Sequence, residues 1–164
     1  MALTVRRLTL ADDHEAFGRI VVASYHALAG HPVDPDYDQE LLDVAARVRA
    51  ATVLGALDGK APLGCVTYVD GAGRPYAEQL EDGEASFRML AVSPAAQGRG
   101  VGEALVRACL DRARGAGRSA VFIYSGSWMG GAHRLYRRLG FVATPERDWE
   151  IPGLFTLLGF RVAL

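Results

Sequence analysis

The sequence predicts a single α/β domain, spanning residues 1–164, with a mixed central sheet of about seven strands flanked by about four helices. Short apolar segments typical of strands alternate along the chain with segments whose apolar residues recur at the helical period of 3.6. The chain also contains no repeat, linker or low-complexity segment that would divide it into smaller units. Together these observations predict one layered domain with one sheet.

The first half of the chain predicts a strand, two helices and a hairpin. The segment LTVRRLTL alternates apolar and polar residues, which is typical of a strand. Asp12 or Asp13 can cap a first helix, and YDQELLDVAARVRA predicts a second one. The intervening GHPVDPDYD contains a glycine and two prolines, which interrupt helices. The segment ATVLGALDGKAPLGCVTYVDG then predicts two strands joined by a turn at Asp58 and Gly59.

The second half predicts strands that alternate with helices. The polar segment GAGRPYAEQLEDGE predicts a loop between two antiparallel strands, the second of which is ASFRMLAV. A helix from about Val101 to Arg114 ends at the glycines of GAG, and SAVFIYS is continuously apolar, as buried parallel strands are. GGAHRLYRRLG predicts the last helix, and FVATP and LFTLLGFRVAL predict two final strands. The predicted order is β-α-α-β-β-β-α-β-α-β-β.

Composition excludes several classes of function. A net charge of −1 provides no broad basic face, so we expect no nucleic acid as partner. No segment approaches the apolar length of a membrane span, and MALTVRRLTLADD lacks the apolar centre of a signal peptide, so we expect a cytoplasmic protein. Cys65 and Cys109 lie in apolar runs, which predicts buried reduced thiols. The four histidines lack the short spacings of zinc sites, so we expect no metal.

The segment VSPAAQGRGVGEALV places Gly98, Gly100 and Gly102 directly before a predicted helix. The first amides of a helix lack intrahelical partners and carry partial positive charge, so this position predicts a phosphate or pyrophosphate site. A tight turn that needs glycine only for its own geometry is the alternative. The segment is not a P-loop, because Glu103 and Ala104 follow the last glycine. The G-x-G-x-G spacing does not match the Rossmann fingerprint either.

These residues resemble the GNAT acetyltransferase superfamily. Gln97, Gly100 and Gly102 match its pattern Gln/Arg-x-x-Gly-x-Gly. FRMLAVSPAAQGRGVGEALVRACLDRARGAG resembles its strand, pyrophosphate loop and helix, and AHRLYRRLGF resembles a later helix and strand. The resemblance covers nearly the whole chain and is strongest from Glu84 to Phe141. It implies the GNAT acyl-CoA N-acyltransferase fold and an enzyme that transfers the acetyl group of acetyl-CoA to a primary amine.

The resemblance leaves the acceptor open. We expect a small-molecule amine, since nothing in the sequence indicates a macromolecular partner. Two alternatives are a protein N-terminus or lysine as acceptor, and a non-catalytic domain that only binds acyl-CoA.

The resemblance also implies roles for individual residues. The pyrophosphate of acetyl-CoA is expected at the main chain of Gln97, Gly98, Arg99, Gly100, Val101 and Gly102. The pantetheine arm is expected along Leu90, Ala91 and Val92, with Ser125 substituting for an asparagine that many relatives carry. Tyr136 is expected to donate a proton to the CoA sulfur, and Glu84 to take the amine proton directly or through water. Packing alone is the alternative for Tyr136, and a solvated loop end is the alternative for Glu84.

The same resemblance places the acceptor pocket between the first two helices, the loop before the fourth strand and the last two strands. The candidate lining residues are Tyr25, His26, His31, Tyr37, Tyr68, Trp128 and Trp149. The acidic segments DPDYDQE and EQLEDGE flank this region, where they would attract a cationic amine or simply keep the loops soluble. The resemblance further suggests a homodimer, with LFTLLGFRVAL contributing to its interface.

Overall fold

The computed structural model describes residues 1–164 and confirms the predicted α/β class. It contains eight strands and five helices, one of each more than the sequence analysis predicted. In chain order the elements are β1 (Leu3–Arg7), α1 (His14–His26), α2 (Pro35–Leu42), α3 (Val44–Ala50), β2 (Thr52–Asp58), β3 (Ala61–Val69), β4 (Glu84–Val92), α4 (Val101–Gly115), β5 (Ala120–Gly126), α5 (Gly130–Arg138), β6 (Val142–Ala143), β7 (Trp149–Ile151) and β8 (Phe155–Ala163).

The additional helix results from Asp43, which divides the predicted second helix into α2 and α3. Its backbone leaves the helical region, with φ −82° and ψ 65°, and its carboxylate accepts a hydrogen bond from the Ala46 N–H at the start of α3. Buried Arg47 donates a 2.9 Å hydrogen bond back to the Leu41 carbonyl at the end of α2. These bonds satisfy the main-chain groups that a break in a helix leaves unpaired. The additional strand is β7, a short segment paired with β8.

The sheet has the strand order β1-β2-β3-β4-β5-β8-β6, and β7 also pairs with β8. Neighbouring strands are antiparallel except for β4 and β5, which are parallel. These two strands pair only at their beginnings, Glu84 with Ala120 and Ala85 with Val121. Further along, β4 pairs only with β3 and β5 only with β8, so the sheet opens toward the carboxyl ends of β4 and β5.

Two hydrophobic cores cover the two faces of the sheet. One core contains Leu105 of α4 and Phe87 of β4, and the other contains Phe17 of α1 together with apolar residues of α2 and α3. Side chains alternate between the faces along each strand, which is why neighbouring strand residues belong to different cores. Cys109 lies in the first core and Cys65 in the second, both as free buried thiols, as predicted.

The C-terminal strand β8 is an interior strand of the sheet. It pairs with β5 on one side and with β6 and β7 on the other. Within the chain, the predicted dimer segment LFTLLGFRVAL therefore has strand partners on both sides along much of its length. None of the five helices has the length and apolar character needed to cross a membrane.

Candidate active site

A cavity of about 320 Å³ lies where β4 and β5 separate. Most of its wall is apolar, and a volume of this size is typical of a small-molecule site. Eight aromatic side chains contribute to the wall: Tyr25, Tyr37, Phe87, Tyr124, Trp128, Tyr136, Trp149 and Phe155. The splayed strands thus provide an apolar chamber within an otherwise continuous sheet.

A bulge in β4 shapes one side of this cavity. Met89 and Leu90 lie opposite a single residue of β3, Val66, and Met89 adopts a φ of 54°. Leu90 lines the cavity, whereas Ala91 is buried and Val92 packs against the core. The edge of these residues that faces β5 has no strand partner. Its main-chain groups are therefore available to an extended ligand, which would bind as an added strand does.

The glycine segment leaves the beginning of α4 open. Gly98 and Gly100 have φ values of 74° and 81°, and a Cβ added to either would meet no atom within 4 Å. Gly100 is the N-cap of α4 and supplies no side-chain cap, so the first-turn amides keep no partner within the chain. Gly102 lies inside the first turn of α4, where a Cβ would be in ordinary van der Waals contact with Leu135 at 3.4 Å.

The geometry of this loop fits a diphosphate. Gln97 to Gly100 are exposed, while Val101 is buried and anchors the first turn of α4. Unpaired amides and the positive end of the helix dipole attract anionic oxygens, and an exposed Arg99 adds positive charge.

Tyr136 lies in the cavity wall and also packs in the core. Its ring centroid lies 5.8 Å from that of Phe87, 5.6 Å from Phe141 and 6.0 Å from Phe160. Burial raises the pKa of Tyr136 well above its ordinary value, so the phenol stays protonated at neutral pH, and no hydrogen bond within the chain involves its hydroxyl. A phenol of this kind can donate a proton to a leaving group in the cavity.

Ser125 lines the cavity at the end of β5 and contacts a residue that the sequence analysis did not select. His133 Nε2 lies 3.1 Å from Ser125 Oγ, and both residues are buried. Burial lowers the pKa of His133, which is therefore neutral at neutral pH. The sequence contains one indication that His133 belongs to the site. It precedes Tyr136 by three residues, so the two side chains lie on the same face of α5.

Glu84, the predicted base, does not line the cavity. It lies where β4 and β5 are still paired, at the closed end of the wedge that the two strands form. Its buried carboxylate accepts hydrogen bonds of 2.8 and 2.9 Å from Arg147, 2.8 Å from Arg161 and 2.9 Å from the Glu81 N–H. Burial alone would raise its pKa, but these bonds lower the pKa of Glu84 to about 2. A carboxylate with such a pKa is a poor proton acceptor near neutral pH. The hydrogen bonds of Glu84 instead connect β4 to Arg161 in β8 and to Arg147 in the segment before β7.

Five of the seven residues predicted for the acceptor pocket do line the cavity, namely Tyr25, His31, Tyr37, Trp128 and Trp149. The His31 ring centroid lies 5.5 Å from that of Tyr25 and 6.1 Å from that of Trp128. Gly126 allows the Trp128 indole to lie against the end of β5, because a Cβ at this position would collide with the indole. These rings form a continuous aromatic wall.

The other two residues predicted for the acceptor pocket, His26 and Tyr68, do not line the cavity. The His26 ring is half exposed and bonds to Asp38 at 2.9 Å, outside the cavity. Tyr68 lies in the core beneath α4, and its hydroxyl donates a 3.0 Å hydrogen bond to Asp70. The side chain of Tyr68 points to the face of β3 opposite that of Cys65, so it faces away from α1 and α2.

Three charged residues in the cavity wall were not predicted individually. Arg88 of β4 forms an ion pair of 3.4 Å with Glu78, and Asp34 lies at the start of α2. Each acidic segment thus contributes one carboxylate to the cavity, DPDYDQE through Asp34 and EQLEDGE through Glu78. Two carboxylates and one guanidinium leave the wall with a negative balance, which favours a cationic ligand.

Folding also gathers three potential metal ligands that the chain spacing did not indicate. His26, His31 and Asp38 place one ligand atom each within 4.8 Å of one another. The ion pair between His26 and Asp38 already explains why two of these side chains lie together.

The splayed sheet, the open helix N-terminus and the adjoining cavity are the features that the resemblance to acetyltransferases implies. A family model described as the acetyltransferase (GNAT) family matches residues 15–141. The chain therefore belongs to the GNAT acetyltransferase family, and it is an acetyl-CoA-dependent acyltransferase. No curated protein matches the chain.

Solved structures share the fold over essentially the whole length. A GCN5-related N-acetyltransferase from Kribbella flavida is 25% identical with a TM-score of 0.72, covering 99% of this chain and 98% of that one. The paia N-acetyltransferase from Thermoplasma acidophilum, solved in complex with coenzyme A, is 13% identical with a TM-score of 0.73 and coverages of 97% and 98%. A ribosomal-protein-alanine N-acetyltransferase from Brucella melitensis is 20% identical with a TM-score of 0.68 and coverages of 98% and 99%.

Proposed function

We propose that this protein transfers the acetyl group of acetyl-CoA to the primary amine of a small molecule with an apolar body. The observation that carries the proposal is the cavity of about 320 Å³ between β4 and β5, with its aromatic wall and its two carboxylates. The small volume limits the acceptor, and the wall determines which acceptors bind well.

The donor is held chiefly by main-chain groups. The amides from Gly98 to Gly102 bind the diphosphate at the start of α4, and the unpaired edge of β4 from Leu90 to Val92 binds the extended arm. When bound, acetyl-CoA supplies an activated thioester carbonyl. Free cysteines in both cores are consistent with a reducing compartment, which supports a cytoplasmic location.

The acceptor side of the cavity favours a compact amine over a protein segment. The space left beside the donor arm is small, because about 320 Å³ is near the lower limit for a small-molecule pocket. Aromatic faces attract an ammonium group through cation–π interactions and cover an apolar body at the same time. The carboxylates of Asp34 and Glu78 attract the cation toward this wall.

Tyr136 supplies the proton for the departing thiolate. Its phenol is protonated, lines the cavity and has no other hydrogen bond to break. General acid catalysis by a positioned side chain contributes about 10²- to 10⁴-fold to a rate.

The test follows thiol release from acetyl-CoA across a matched panel of acceptors. The panel contains arylalkylamines, polar amines of similar size, polyamines, amino acids and short peptides with free N-termini. We expect the highest kcat/KM for arylalkylamines and at least about tenfold less for their polar counterparts, which is about 1.4 kcal/mol of lost binding. Preference for the peptides would instead establish a protein acceptor. Tight binding of acetyl-CoA without release on any acceptor would point to the non-catalytic alternative.

A further inference from the structure

We infer that Ser125 and His133 form a proton relay that removes the proton of the attacking amine, with Ser125 Oγ in the cavity and His133 Nε2 behind it. The inference rests on the proposed amine acetylation and supplies the base that this reaction needs. The predicted base, Glu84, does not line the cavity, and the sequence analysis named no other side chain for this role.

The geometry of the pair supports this role. Ser125 lines the cavity, and its Oγ lies 3.1 Å from His133 Nε2. A hydroxyl can donate to a neutral imidazole nitrogen while its oxygen accepts a proton from another group. The cavity also contains Tyr136, which lies one turn from His133 on the same face of α5. The acid and the relay therefore belong to one short helix and the strand beside it.

The surroundings of His133 keep its imidazole neutral and oriented. Burial lowers its pKa, a hydrogen bond to the Gly126 main chain raises it, and the positive charges of Arg137 and Arg134 lower it further. The Phe160 ring lies across the imidazole, with centroids 5.0 Å apart. The groups that face His133 are therefore Ser125 and Gly126 from β5, Phe160 from β8, and Arg134 and Arg137 from α5. None of these carries the negative charge that would favour an imidazolium.

The proton count of the proposed step balances. The ammonium group first loses one proton to solvent. As the resulting neutral amine nitrogen bonds to the acetyl carbon, a second proton passes to Ser125 Oγ, and the original hydroxyl proton passes to His133 Nε2. The carbon–sulfur bond breaks with its electron pair on sulfur, and Tyr136 donates the proton that sulfur takes. Each turnover therefore leaves one additional proton on His133 and one proton fewer on Tyr136. Return of a proton from His133 to Tyr136 through solvent restores both groups after the products leave.

The first test needs neither donor nor acceptor. Nitrogen NMR of the free protein should detect His133 as the neutral Nδ1–H tautomer, because its Nε2 accepts from Ser125. In Ser125→Ala that bond to the neutral form is absent, so the pKa of His133 should rise. The same change at the exposed Ser127, which does not line the cavity, provides a matched control and should leave the His133 titration unchanged. An Nε2–H tautomer of His133, or a His133 pKa that is the same in Ser125→Ala as in the wild type, would overturn the relay.

The second test measures the pH dependence of kcat/KM with the best amine of the panel, calculated from the concentration of the neutral amine so that protonation of the substrate does not contribute to the profile. The wild type should lose activity below the ordinary histidine pKa of 6.5, because protonated His133 cannot accept a proton. In His133→Gln this acidic limb should disappear, and kcat/KM above pH 7 should fall about 100-fold. Ser125→Ala should show a similar loss of kcat/KM and of the acidic limb, whereas Ser127→Ala should match the wild type.

The outcomes separate this inference from the proposed function. If the wild type acetylates no amine, the proposed function fails, while the NMR experiment still shows whether Ser125 and His133 are hydrogen-bonded as inferred. If amines are acetylated and Ser125→Ala retains full kcat/KM with its acidic limb, the relay is wrong and the function stands. A stable gain of one acetyl group on Ser125, detected by intact mass in the absence of amine, would also contradict the relay, since Ser125 would then be a nucleophile.

Discussion

Replacing Glu84 with glutamine should weaken the fold while leaving the chemistry intact. The carboxylate is 1% exposed and accepts hydrogen bonds from two arginines and one main-chain amide. Its pKa falls from 4.5 to about 2, and each unit corresponds to about 1.4 kcal/mol, so the ionised form contributes about 3 kcal/mol to folding. Leaving Arg147 and Arg161 without this partner costs a similar amount, about 3–5 kcal/mol, for a buried ion pair.

The assay compares thermal unfolding and steady-state kinetics of Glu84→Gln with the wild type. For a domain of this length about 3 kcal/mol lowers Tm by about 10 °C. Because the folded pKa is depressed, the contribution is complete above pH 4.5 and disappears as the pH falls toward 2, so the two Tm values should converge on acidification. Glu81→Gln is the control, since Glu81 is 69% exposed and 3.9 Å from Arg147, and it should change Tm little. An unchanged Tm with a 100-fold loss of kcat would refute this reasoning and restore Glu84 as the base.

Two further predictions concern the donor site and the acid. Gly100→Ala should raise the KM for acetyl-CoA about tenfold, because its Cβ enters the open space before the α4 amides. Gly117→Ala imposes the same backbone strain at φ 73° just beyond the C-terminal end of α4, so it should cost similar stability and leave this KM unchanged. Tyr136→Phe keeps the aromatic packing and removes the proton, so kcat should fall about 100-fold while Tm stays within a few degrees of the wild type. A folded Tyr136→Phe with normal kcat would remove Tyr136 from the reaction.

Local features of the chain were predictable because their causes are local. Asp13 caps α1, the turn at Gly59 joins β2 to β3, and the glycines before α4 lie where the sequence analysis expected a diphosphate site. The break at Asp43 was missed because both flanking segments have good helical periodicity. Only the capping bonds of Asp43 and the buried Arg47 reveal that two helices meet there.

The position of Tyr68 illustrates what periodicity leaves undetermined. An aromatic residue in a strand faces one of the two sides of the sheet, and the sequence does not state which side carries α1 and α2. Tyr25, Tyr37 and Trp128 come from helices and loops that border the cavity, so chain order alone located them correctly. For a strand residue, the pairing register determines which face of the sheet its side chain occupies. The bulge in β4 shifts that register by one residue.

Glu84 and His133 have surroundings that neither residue's position in the sequence indicates. A carboxylate at the beginning of a strand looks exposed in the sequence, but the wedge between β4 and β5 is closed at that end, and Arg147 and Arg161 arrive from 63 and 77 residues away. A histidine on an apolar helix face looks like packing, yet α5 places it behind the one serine that lines the open end of the wedge. Which of these two groups lies near the cavity is therefore set by where the two strands separate, which is a property of the sheet. The residue type alone could not decide between them, because each group's basicity depends on partners that only the fold supplies.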